Sequence, residues 1–127
     1  MSVVDKISNA IAREEGYFNP ANLPNRLNNP GDLNFAGQMG ATPFTEPGRA
    51  TPYAKFDTIG FGIVGLYRQI WADIAKGMTL RTLIQSWAPA EDGNNPGSYL
   101  QNVMAWTGID NPDVKLMDMV AAEWLGK

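Results

Sequence analysis

The sequence predicts a mainly helical α+β fold, about five helices with a small irregular β-sheet inserted after the first. Three observations carry this prediction. Apolar residues recur at three- and four-residue spacing near the amino end and again through the second half. Residues 17–57 lose that period and hold Pro20, Pro24, Pro30, Pro43, Pro47 and Pro52 among many Asn and Gly. The chain has 127 residues, 44% hydrophobic and 18% charged, which suits one globular domain, 1–127, and argues against disorder.

The first helix is expected from about Ser2 to Glu15. Ser2 serves as N-cap with Asp5 three residues on, Val3, Val4, Ile7, Ala10 and Ile11 form the buried stripe, and Gly16 supplies the stop. In the irregular region Asn28-Asn29-Pro30-Gly31 reads as a turn, and Leu33-Asn34-Phe35 and Tyr53-Ala54-Lys55-Phe56 as short strands. The aromatics Phe35, Phe44, Tyr53 and Phe56 make an ordered segment the better reading. Asp57-Thr58 opens a second helix to about Lys76, with Asp57 as its cap and Ile59, Ile63, Leu66, Ile70 and Ile74 as its stripe. Gly60, Gly62 and Gly65 weaken that helix by up to ~1 kcal/mol each, which points to a backbone passing close by. Thr79 caps a third helix to Trp87, stopped by Pro89, and residues 88–97 form a loop. A fourth helix carries Tyr99, Leu100, Val103 and Trp106 and closes at Gly108. Asn111-Pro112-Asp113 marks the start of the last helix, which carries Leu116, Met117, Val120 and Trp124. Trp71 and Trp124 are expected in the core.

Two zeros in the composition restrict the chemistry. Without Cys there is no disulfide, thiol nucleophile or cysteine–zinc site, and without His there is no imidazole base or His-ligated zinc. Proton transfer would fall to Asp, Glu, Lys or Tyr. No cofactor and no metal are expected, since no spaced acid cluster suits a hard cation. The net charge of -3 and the lack of a basic run make nucleic acid a poor partner. No stretch approaches ~20 apolar residues, so no membrane span is expected, and no signal peptide is read at the amino end.

The first helix ends in Arg13-Glu14-Glu15-Gly16-Tyr17-Phe18. At 100° per residue Glu14 falls near the centre of the Ile7/Ile11 stripe and Glu15 at its edge. Desolvation beside an apolar face raises a carboxyl pKa above the ~4.3 of a free Glu, as a general acid requires. The dipole disfavours acids at this end, so two of them there want a reason; helix geometry leaves open which one works. Among the loop acids Asp32, Glu46, Asp57, Glu91 and Asp92, the last two read as solvated charges. Sugar rings stack on aromatics and bond to amides, and Asn28, Asn29, Asn34, Asn94, Asn95, Trp87 and Tyr99 lie in or beside loops.

The order of these motifs resembles the lysozyme-like peptidoglycan glycosidases, the superfamily of lytic transglycosylases and goose-type lysozymes. Ile11-Ala12-Arg13-Glu14-Glu15-Gly16-Tyr17 is similar to the helix end that carries their catalytic Glu, followed by a small residue. Asn28-Asn29-Pro30-Gly31-Asp32-Leu33 resembles an Asn-Asn-Pro-Gly-Asn-Leu signature of small phage virion proteins with muralytic activity, with Asp32 departing at the fifth position. Phe56-Asp57-Thr58-Ile59-Gly60-Phe61-Gly62 and Ser86-Trp87-Ala88-Pro89, then Asn94 or Asn95, then Ser98-Tyr99-Leu100-Gln101-Asn102-Val103 follow in the same order.

The resemblance implies a lysozyme-like fold and cleavage of the β-1,4 link between N-acetylmuramic acid and N-acetylglucosamine, with Glu15 rather than Glu14 as the acid. It implies substrate contacts at Asn28, Asn29, Asn34, Asp57, Trp87, Asn94 and Tyr99, and Tyr99 lying near the acid. Peptidoglycan strands would be the partner, with other virion proteins beside them, and the protein would be made in the cytoplasm and act on the periplasmic wall. Asp32, Glu46 and Asp57 are candidates for a second carboxylate, and none stands out, which favours a lytic transglycosylase leaving 1,6-anhydro ends over a hydrolytic lysozyme. A non-catalytic virion or wall-binding protein on the same fold is the rival from another class.

Overall fold

A computed structural model describes residues 1–90 and 94–127. The acids Glu91 and Asp92 lie outside the described residues. The fold is mixed α+β, about half helical, with six helices and one two-stranded antiparallel sheet among the described residues. The helices are α1 (Val3–Glu14), α2 (Leu23–Arg26), α3 (Ile59–Ala75), α4 (Leu80–Trp87), α5 (Pro96–Thr107) and α6 (Leu116–Trp124). The strands are β1 (Ala41–Phe44) and β2 (Tyr53–Phe56). The chain packs as two compact units, one of residues 1–10 with 70–127 and one of residues 11–69.

In the first unit α1 begins with a reciprocal cap. The Asp5 N–H donates to Ser2 Oγ and the Ser2 N–H to Asp5 Oδ2, both at 3.1 Å. A second acid arrives from far along the chain, where Glu123 Oε2 accepts the Val3 N–H at 2.9 Å. This satisfies another free donor at a helix end that carries partial positive charge. The core gathers Val4, Ile7, Ile70, Ile74, Leu80, Leu83, Ile84, Val103 and Leu116, with α4 packed against α5. Thr79 caps α4 through a capping box with Thr82, Asn95 caps α5 by accepting the Ser98 N–H, and Gly108 ends α5 in the left-handed region.

Two expectations for this unit are corrected. Asn111-Pro112-Asp113 does not start the last helix. Asn111 Oδ1 accepts the Asp113 N–H in a local turn, and α6 begins at Leu116. The intervening residues are drawn onto the α3–α4 connection. The Arg81 N–H donates to Pro112 O, the Leu116 N–H to Met78 O, Thr79 bridges Lys115, and Arg81 pairs with Asp113 at 2.7 Å. Tertiary hydrogen bonds thus override a local start signal. Trp71 and Trp124 are surface residues, 44% and 85% exposed, because the buried faces of α3 and α6 are filled by Ile70, Ile74 and Leu116.

In the second unit α1 stops in a Schellman loop. The Tyr17 N–H donates to Ala12 O and the Gly16 N–H to Arg13 O, with Gly16 at φ +79°. The turn-rich segment that follows contains α2, a helix that its sequence did not announce. β1 was also unexpected, since Pro43 sits inside it. It is an edge strand in register Ala41↔Phe56 and Phe44↔Tyr53, where a missing N–H costs nothing. On the other side of β2, Leu33–Phe35 forms one bridge, Asn34 to Tyr53, rather than the expected strand. Thr58 rather than Asp57 caps α3, its hydroxyl accepting the Phe61 N–H at 3.3 Å. The expected close approach occurs at Gly62, where a Cβ would overlap the Asn28 carbonyl oxygen. Phe56 fills the space over Gly65, and a Cβ at Gly60 would meet Thr58 Oγ1 at 3.6 Å, an ordinary contact.

Candidate active site

The second unit brings Glu15 and Asp32 together. Glu15 is the C-cap residue of α1, and the Schellman loop fixes where its side chain leaves the helix. Gly16 is held in turn by Asn22, whose Nδ2 donates to the Gly16 carbonyl at 3.0 Å and fills the space a Cβ would need. Asp32 lies in the turn after Pro30-Gly31 at φ +52°, a left-handed conformation uncommon outside Gly, Asn and Asp.

The Asp32 turn is built on Asn29, which is 0% exposed. Asn29 Nδ2 donates to Leu33 O and to Ala54 O, and its Oδ1 accepts the Leu33 N–H, all at 2.9 Å. The Asp32 N–H closes onto Asn29 O at 3.1 Å. The expected sugar contact at Asn29 is therefore corrected: its amide is spent on the chain itself and has no surface to offer. Asn28, at φ +53°, also turns inward, its Nδ2 donating to Phe56 O at 3.1 Å.

The half-buried Asp32 carboxylate accepts a hydrogen bond from the Glu15 side chain. A hydrogen bond between two carboxyl groups needs a proton, which the pair shares. Burial pushes the Asp32 pKa up to about 6 from 3.8, against the Glu15 hydrogen bond and the Arg49 charge, which lower it; the Glu46 charge adds to the rise. Tyr53 is raised above its ordinary value, first by burial, then by Asp32, while Arg49 opposes.

Arg49 and Glu46 come from the β1–β2 connection. Glu46-Pro47-Gly48-Arg49 is a turn closed by Arg49 N–H to Glu46 O at 3.1 Å, with Gly48 at φ +80° as a type II turn requires. The Arg49 guanidinium lies 3.6 Å from the centre of the Tyr53 ring and donates to Asn34 Oδ1 at 2.7 Å and to the Thr51 carbonyl. Arg49 and Tyr53 were missed as site residues. The Pro-Gly turn was the signal that sets Arg49 beside Glu46.

Asn34 is exposed and joins the site through Arg49. Asp57 is exposed at the end of β2, its N–H donating to Gly40 O. Trp87, Asn94 and Tyr99 belong to the first unit. Trp87 ends α4 half-buried, Asn94 is exposed with its amide on Pro89 O, and Tyr99 is buried on α5. Near Asp32, the segment from Leu33 to Met39 and the Val64–Gln69 face of α3 enclose a pocket of about 190 Å³. Among the described residues no three His, Cys, Asp or Glu side chains group as metal ligands would, and no helix is long and apolar enough to cross a membrane. No family model, curated protein or solved structure matches this chain, so its own geometry must carry the functional reading.

Proposed function

We propose that the chain is a lysozyme-like peptidoglycan glycosidase of the lytic transglycosylase kind, with Glu15 as its acid and then its base. One observation carries this reading: the half-buried Glu15 side chain is hydrogen-bonded to Asp32, and a carboxyl pair of this kind holds a transferable proton. In the reaction, the Glu15 proton passes to the glycosidic oxygen between N-acetylmuramic acid and N-acetylglucosamine as that carbon–oxygen bond breaks. The 6-hydroxyl oxygen of the muramyl residue bonds to the anomeric carbon, and its proton returns to Glu15. No water enters, and the product carries a 1,6-anhydro end.

Hydrolytic glycosidases separate their two carboxyl groups by roughly 5–5.5 Å or 6.5–9.5 Å, leaving room for sugar or water. Two carboxyl groups in a hydrogen bond lie at about 2.5–2.7 Å between oxygens. Asp32 is therefore too close to Glu15 to act as the second carboxylate of a hydrolase, which favours the single-acid route. Asn34, exposed and hydrogen-bonded to Arg49, carries an amide of the kind that binds the hydroxyl and acetamido groups of a glycan. A phage virion protein acting on the bacterial wall is the setting the motif order suggests.

The test is mass analysis of muropeptides after digestion of bacterial walls, with Glu15→Gln in parallel. Anhydro-muramyl products that vanish in the folded variant are expected. Reducing ends would make the protein a lysozyme, and intact walls with the wild type would favour a non-catalytic virion or wall-binding role.

A further inference from the structure

The Asp32 side chain is aimed by more structure than a surface acid needs. A buried Asn29 pins the turn on both sides, and the backbone holds a left-handed conformation at Asp32 itself. The nearby cation does not neutralise it by direct bonding. The hydrogen bonds of Arg49 run to Asn34 and Thr51 and its face lies on Tyr53, so Arg49 reaches Asp32 as a charge only. The donor that Asp32 meets is Glu15.

We propose that Asp32 is the positioning residue of Glu15: it keeps the transferable proton on Glu15 before cleavage and makes Glu15 a stronger base after it. This rests on the reading of Glu15 as the acid. Before reaction the Asp32 carboxylate accepts the Glu15 O–H, so ionising Glu15 would set two negative charges side by side. Once the proton has gone to the glycosidic oxygen, that repulsion exists, and taking the proton from the 6-hydroxyl relieves it. One carboxylate thus serves both half-steps through its neighbour without touching substrate. The other groups facing Asp32 are Arg49 and Glu46 from the β1–β2 connection and Tyr53 from β2; Arg49 opposes the repulsion and Glu46 adds to it.

The pH profile of wall clearing tests this. Asp32→Asn keeps the shape and suits the left-handed backbone, but removes the charge. Its alkaline limb should move to lower pH by about one unit or more, since Glu15 then loses its proton without repulsion. Arg49→Gln should move the limb to higher pH, and it carries the test if Asp32→Asn does not fold. An unmoved limb in a folded Asp32→Asn protein would overturn the proposal. Infrared spectroscopy reads the pair without relying on activity. At pH 7 the wild type should show a protonated carboxyl band that is absent from Glu15→Gln and from Asp32→Asn. A band that persists in Asp32→Asn overturns the proposal. Wall clearing absent from a wild type that shows the expected bands would overturn the glycosidase reading and leave the proton-sharing pair standing.

Discussion

Asp32 binds its proton more tightly in the folded chain than in the unfolded one, with a pKa of about 6 against 3.8. Between these values the native state holds more protons, so stability falls as pH rises through that window. At ~1.36 kcal/mol per unit, the cost above pH 6 is on the order of 2–3 kcal/mol. Asp32→Asn does not titrate. It should therefore be more stable than the wild type at pH 7–8, with the difference vanishing below pH 4, as read by urea unfolding across pH. The same residue-scale logic explains the many asparagines of this segment. Asn22, Asn25, Asn28 and Asn29 each donate a side-chain N–H to a main-chain carbonyl. They stand in for the regular hydrogen bonding that the prolines prevent.

Among the elements, α3 shows how a helix tolerates glycine for unequal reasons. Gly62→Ala should destabilise by several kcal/mol, since a Cβ there overlaps backbone at Asn28 that cannot swing aside. Gly60→Ala, whose Cβ would make an ordinary 3.6 Å contact with Thr58 Oγ1, should add about 0.4–1 kcal/mol. Thermal unfolding of the two variants should therefore shift in opposite directions. Elements whose boundaries come from local chemistry were legible in the sequence: the Ser2 and Thr79 caps, the Gly16 and Gly108 stops and the apolar stripe of α1. The place of Glu15 at the end of the first helix, directly before the Gly16 stop, was legible too. Elements decided at long range were not. α6 starts late because Met78 and Thr79 capture residues 115–116, and β1 forms around Pro43 because β2 needs only one edge of it. The Glu15–Asp32 pair escaped for the same reason, since seventeen positions, with α2 and its flanking turns among them, separate its members and no period links them.

For the molecule as a whole, the surface carries more large apolar side chains than the helical stripes suggested, including Ile63, Val64 and Trp71 on α3 and Trp124 and Leu125 at the end of α6. Trp71→Ala should accordingly cost about 1 kcal/mol, well below the roughly 3–5 kcal/mol of a buried aromatic truncation, by urea denaturation. The contact between Glu123 and the Val3 N–H has a consequence of another kind. It brings the start of the first helix against the end of the last within one unit, so polypeptide fused before the one and after the other would leave from neighbouring points. A fold with that geometry can be spliced into a surface loop of a larger protein without stretching its host, and its ends can be joined by a short bridge with new ends opened at the exposed Pro47-Gly48 turn.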